Sequence, residues 1–173
     1  MSEPVDAVDT KRVERCVLGV DPGSRKTGWG ILSRHSGDLT ILSGVIKVKS
    51  TMAVPDRLHT IFRELLRIID ANHPDILAVE RPFYNSYVRS AMILGQAQAA
   101  VLLAAAERNL PVVEYAPREI KQVVTGDGSA KKEMVAEALR LQLRLSKPIN
   151  DGDASDALAA AYCHAIMSSG GAG

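Results

Sequence analysis

The chain has 173 residues, is 46% hydrophobic and 24% charged, and carries a formal net charge of +1. That length suits one domain with a sizeable core, and that composition suits an ordinary soluble globular protein rather than a disordered one. No apolar run approaches the ~20 residues of a membrane span, the first residues lack an apolar signal segment, and the near-zero net charge does not announce a nucleic-acid partner.

A single domain is expected over 15–168, between a disordered tail at 1–14 and a flexible end at 169–173. Residues 15–21 read as an apolar strand ending at Asp21. Residues 28–33 and 38–48 read as two more strands, joined by the short Gly-bearing links of hairpins. Asp21-Pro22-Gly23 has the residue order of a type II turn. Apolar residues at 58, 61, 62, 65, 66 and 69 make one face of a helix over 55–71, opened by Pro55 and stopped at His73-Pro74. Residues 75–80 read as a strand ending at Glu80, 86–108 as a long Ala-rich helix, and 111–116 as a strand. A short helix over 118–125, a break at 126–129, an amphipathic helix over 131–145 and an Ala-rich helix over 153–167 complete the chain. Three antiparallel strands followed by alternating helices and strands predict a mixed sheet flanked by helices.

The acids carry the functional signal. Asp21 and Glu80 each end a strand, and Asp153 and Asp156 open the last helix three residues apart, on one helical face. In sheet-and-helix folds, sites form outside strand ends, where the backbone is fixed and the side chain meets solvent. The last helix is rich enough in Ala to pack close to a sheet and bring its two acids toward those strand ends. Converging carboxylates repel unless a cation neutralises them, and hard oxygen ligands suit Mg²⁺ or Mn²⁺. Each acid alone also has a plain structural reading: a turn for Asp21, a surface salt bridge for Glu80, and a favoured helix start for Asp151, Asp153 and Asp156. Other motifs fail. Gly23 to Gly28 has phosphate-loop spacing but lacks the Lys-Ser/Thr that must follow, and position 12 counted from Asp151 is Tyr162 where a calcium loop needs Glu. The four histidines are scattered, and Cys16 and Cys163 read as buried, reduced thiols.

The stretches "LGVDPGSRKTGWGIL" (18–32), "LAVERPFYN" (77–85), "LGQAQAAVLLAA" (94–105), "EYAPREIKQVVTGDGSAKKEMV" (114–135) and "DASDALAAAYCH" (153–164) together resemble the RuvC family of crossover junction endodeoxyribonucleases, which resolve Holliday junctions. The resemblance implies an RNase H-like α/β fold, a five-stranded mixed sheet with helices on both faces. It implies metal-dependent, symmetric nicking of two strands of like polarity, leaving 5′-phosphate and 3′-hydroxyl ends, in recombination and repair. It also implies a homodimer acting on four-way junction DNA, docking with the RuvA and RuvB branch-migration complex, in the cytoplasm. By motif match, Asp21, Glu80, Asp153 and Asp156 are the catalytic and metal-binding residues, holding two Mg²⁺ or Mn²⁺ ions.

Lys121 and Lys132 match basic positions that the family uses near the scissile phosphate. Lys131 and Lys132 also fall at the start of a helix, where the macrodipole disfavours cations by ~0.3–1 kcal/mol each, a cost that arriving phosphates would offset. Arg89 and Arg118 are further DNA-binding candidates. Phe83 is placed to stack on an unpaired base, as single-strand readers do. With four carboxylates neutralised by metal, the rest of the chain is basic, and DNA binding should weaken with salt. The long helix is the expected dimer element, through Ala91, Leu94, Gly95 and Gln98, its small residues allowing close approach. Two other readings remain open: a non-catalytic junction-binding protein, which has no use for four converging acids, and an actin-like phosphotransferase, which needs a second domain that this length cannot hold.

Overall fold

The computed structural model describes residues 16–35, 38–81 and 88–169. The expectations for the tail at 1–14, for residues 170–173 and for Phe83 lie outside the described residues. In chain order the elements are β1 (Val17–Asp21), β2 (Lys26–His35), β3 (Asp38–Lys47), α1 (Val54–Asn72), β4 (Ile76–Glu80), α2 (Val88–Glu107), β5 (Val112–Tyr115), α3 (Pro117–Thr125), α4 (Lys132–Gln142) and α5 (Gly152–Ser169). The five strands form one mixed sheet in the order β3-β2-β1-β4-β5. The β1–β2 and β2–β3 pairs are antiparallel, and β1–β4 and β4–β5 are parallel.

The period-2 geometry of strands divides the core in two. Leu18, Val20, Ile31, Leu77 and Val79 face α1 and α2. Val17, Leu32, Ala78 and Tyr115 face α3, α4 and α5. On the first face, α1 presents Ile61, Leu65 and Ile69, spaced four residues apart along one helical stripe. Burying each such side chain contributes about 1.5–3 kcal/mol. On the second face α5 lies much nearer the strands. A Cβ on Gly19 would overlap the backbone carbonyl of Ala157, and one on Gly28 would overlap that of Asp153. Glycine is required at both positions because the helix backbone occupies the space of a side chain.

Several local expectations are corrected. Asp21-Pro22-Gly23 is not a type II turn. That turn requires a positive φ at the glycine, and among the described glycines only Gly126 has one. The chain instead makes a wider loop closed by Thr27, whose hydroxyl donates to the Gly23 carbonyl at 3.0 Å. β2 begins at Lys26 rather than residue 28, because Lys26 and Thr27 pair with Lys47 and Ile46 of β3. Its Gly28 and Gly30 are strand residues lying under α5. α4 ends at Gln142, short of residue 145, where Arg144 adopts a left-handed φ of 54°. α5 includes Ser169, whose hydroxyl donates to the Ala165 carbonyl at 2.7 Å. Cys163 is buried but Cys16 is only partly so, and both are free thiols. α2, at 20 residues, is long and apolar enough to cross a membrane by length and composition. Its Ala97, Ala100, Val101, Ala104 and Ala105 are buried in the core on the α1 side.

Candidate active site

Asp21 and Glu80 are brought side by side by strand register. β1 and β4 run parallel, with Val20 beside Val79, so their C-terminal residues finish together at one end of the sheet. Alternation puts both acids on the α5 face, since Leu18, Val20, Leu77 and Val79 point the other way. α5 then delivers the second pair. Gly28 is paired with Asp21 and meets the backbone of Asp153, so the first turn of α5 sits beside the tip of β1. Asp156 follows one turn later and lines a shallow cleft with Glu80, Lys121 and Lys132.

The plain readings of these acids fall away one by one. The α5 start is capped by Asp151, whose Oδ1 accepts from the Asp153 amide at 3.1 Å, which leaves the Asp153 and Asp156 side chains for the cleft. The neighbour of Glu80, Arg81, turns instead to Glu114, with Nε 3.5 Å from Oε2.

Electrostatics shows that the four acids feel one another. Burial, then the charges of Glu80, Asp156 and Asp153, push Asp21 up to about 7, against the pull of Lys132. Burial and Asp156 push Glu80 up to about 7, against Lys132 and Lys121. The donor chemistry therefore fits a hard divalent cation: oxygen ligands, partly desolvated, whose repulsion a cation would relieve. Among the described residues, no three His, Cys, Asp or Glu side chains are gathered tightly enough to enclose one ion as they stand. Lysines occupy two of the carboxylates instead. The Lys132 ammonium donates to Asp156 Oδ2 at 2.6 Å, and Lys26 Nζ lies 3.8 Å from Asp153 Oδ2. The bond to Asp156 raises the Lys132 pKa and holds it charged.

Of the basic candidates, Lys121 and Lys132 border the cleft. Lys131 is the exposed N-cap residue of α4. Arg118 is exposed on α3, packed against the backbone of Gly128, and Arg89 is exposed at the start of α2. Of the interface candidates, Ala91, Leu94 and Gly95 are half-buried on α2. Gln98 is buried, its Nε2 donating to Glu114 Oε1 at 3.0 Å. Sequence reasoning missed Lys26 as a neighbour of Asp153. It also missed Gly28 as the seat of that residue, since only the distant α5 gives that glycine its purpose.

A family model described as crossover junction endodeoxyribonuclease RuvC matches residues 17–164. Crossover junction endodeoxyribonuclease RuvC of Alkaliphilus oremlandii is 41% identical over 150 residues, covering 86% of this chain and 92% of its own. That of Saccharophagus degradans is 46% identical over 149 residues, covering 86% of each. Among solved structures, Thermus thermophilus RuvC in complex with a Holliday junction substrate superposes with a TM-score of 0.84 at 32% identity, over 91% of this chain and 96% of that one. The yeast mitochondrial Holliday junction resolvase Ydc2, at 15% identity and a TM-score of 0.61, shares the fold. The parallel strand tips, the close-packed last helix and these matches converge on one assignment: the chain has the RNase H-like fold and belongs to the RuvC family of crossover junction endodeoxyribonucleases.

Proposed function

We propose that the chain resolves four-way DNA junctions by hydrolysing a phosphodiester at the cluster of Asp21, Glu80, Asp153 and Asp156. The observation that supports this most is the mutual electrostatic coupling of these acids at the meeting of two strand tips and one helix start. When bound, a pair of Mg²⁺ or Mn²⁺ ions would supply an activated water and neutralise charge on the leaving 3′ oxygen. Asp21 on the central strand would hold the ions together with Glu80 and Asp156 on the cleft side and Asp153 on the Lys26 side. The protein's own part is positioning. Rigid strand tips hold Asp21 and Glu80, and close helix packing leaves α5 no room to drift. Lys121 and Lys132 hold the non-bridging oxygens of the phosphate and favour the charge that develops there. The products are a 5′ phosphate and a 3′ hydroxyl.

A homodimer presents two such sites to a two-fold junction and nicks two strands of like polarity. Its interface is formed by α2 beside α1. Met92 and Leu103 are exposed at 64% and 62%. An apolar groove lined by Leu58, Phe62, Ala99 and Leu103 runs between the two helices. Phe83 stacks on a base at the crossover, Arg89, Arg118 and Lys131 hold backbone phosphates, and the dimer works in the cytoplasm with the RuvA and RuvB complex. The test is a nicking assay on a synthetic four-way junction with Mg²⁺, Mn²⁺ or EDTA, with linear duplex as control. Paired, metal-dependent nicks on the junction alone are expected. Metal-independent binding without nicking would overturn the reading.

A further inference from the structure

The acidic cluster has cations on both sides, and those on the side away from α3 and α4 come from the sheet itself. Lys26 stands directly opposite Lys47 across the β2–β3 pair. Alternation places Lys26 on the same face as Gly28 and Gly30, which meet α5. It places Lys47 on the face of Leu39 and Ile41, which pack against the α5 core. The Val48 amide donates to the Arg25 carbonyl at 3.0 Å, so the pairing continues past Lys47, and Lys49 follows two residues on. Asp21 and Glu80 project from this same face at this same end. Across the sheet the order is therefore Lys47 at the end of β3 with Lys49 just beyond it, Lys26 on β2, Asp21 on β1 and Glu80 on β4. Lys121 and Lys132 lie beyond Glu80.

Lys26, Lys47 and Lys49 are all exposed. Lys26 reaches Asp153, which makes the row continuous with the site. Among the described residues, neither Lys47 nor Lys49 is paired with a carboxylate. Like charges directly opposite each other in a sheet are destabilising. An anion laid across the strands would turn that cost into attraction.

We propose that Lys26, Lys47 and Lys49 form a second phosphate-binding track, which holds the backbone of the DNA arm that leaves the site across β2 and β3. The proposal rests on the reading that the four acids cut a phosphodiester. It is tested with a synthetic four-way junction in EDTA, measuring affinity against salt for the wild type and for K47Q/K49Q. Each lost phosphate contact lowers the slope of log affinity on log salt by about 0.9. In the proposed dimer the double variant removes four lysines, so it is expected to lose between about three and four units of slope, and roughly a hundredfold or more in affinity near ~0.1 M salt. Once saturated with junction and Mg²⁺, it should nick at the wild-type rate. R63Q, on the exposed side of α1, should keep the wild-type slope. An unchanged slope in K47Q/K49Q would overturn the proposal and leave the lysines as guards of an exposed sheet edge. So would an equal loss in R63Q, which would mark a general effect of net charge. Failure of the nuclease reading looks different: no nicking by the wild type with metal, whatever the slopes in EDTA.

Discussion

On one face of the sheet, α1 rests on long and branched side chains; on the other, α5 rests almost on the strand backbone. The first contact is made by Ile61, Leu65 and Ile69 against Leu18, Val20, Ile31, Leu77 and Val79. The second is made by Gly19, Gly28 and Gly30 against the backbone of α5 around Asp153, Ala157 and Leu158. Side chains can change rotamer and repack, so the first interface supplies stability with some tolerance. Backbone against backbone has no such freedom. The chain uses it on the face that carries the acids, where a displacement of one ångström matters.

The widest gap between the two faces should appear on removing a single charge at the close-packed one. D21N is expected to lower junction nicking by roughly three orders of magnitude or more while junction binding in EDTA persists. G28A is next. Its Cβ would push the backbone of Asp153, so nicking should fall about a hundredfold, with a stability loss of ~1–3 kcal/mol read from denaturant melts. L65A on the other face should cost about 3 kcal/mol of stability by the same melts, yet leave the nicking rate of the folded enzyme unchanged. If G28A and L65A affected nicking alike, the contrast between the faces would be lost.

Acidity sharpens the comparison further. Asp21 and Glu80 have folded pKa values raised to about 7, above their ordinary values. The folded, metal-free protein therefore binds more protons than the unfolded chain between about pH 4 and 7, and these two groups take stability away as pH rises through that window. Above about 7 the loss is complete. A divalent cation relieves the same repulsion, so the rise in Tm produced by Mg²⁺ over EDTA should be larger at pH 7.5 than at pH 5. Equal increments would show that the acids do not share a cation. The smallest effect is expected from D151A, which removes the cap on the Asp153 amide. It should cost about 1 kcal/mol and lower nicking a few-fold, measured by melts and initial rates.

Much of this was legible in the residues. The apolar stripe of α1, the strand ends at Asp21 and Glu80, and the spacing of Asp153 and Asp156 all report local periodicity, and local periodicity is written in sequence. The Ala content of α5 correctly signalled a close approach to the sheet. What failed was non-local. Nothing near Gly28 and Gly30 reveals that a helix from the far end of the chain covers them. The bond from Gln98 to Glu114 joins two elements and is not written in the pattern of α2 alone. The turn after Asp21 was misread because residue order suggested a type II turn where the bond from Thr27 to Gly23 imposes a different loop. The nearness of Lys26 to Asp153 was not legible because it arises only when α5 docks.

The docking of α5 on β1 and β2 joins the last helix of the chain to its first strands. Half of the acidic cluster is made early in synthesis and half at the close. The acids of the cluster are therefore brought together by contacts between distant parts of the sequence, and under the proposed reading a chain truncated before α5 should have no nicking activity.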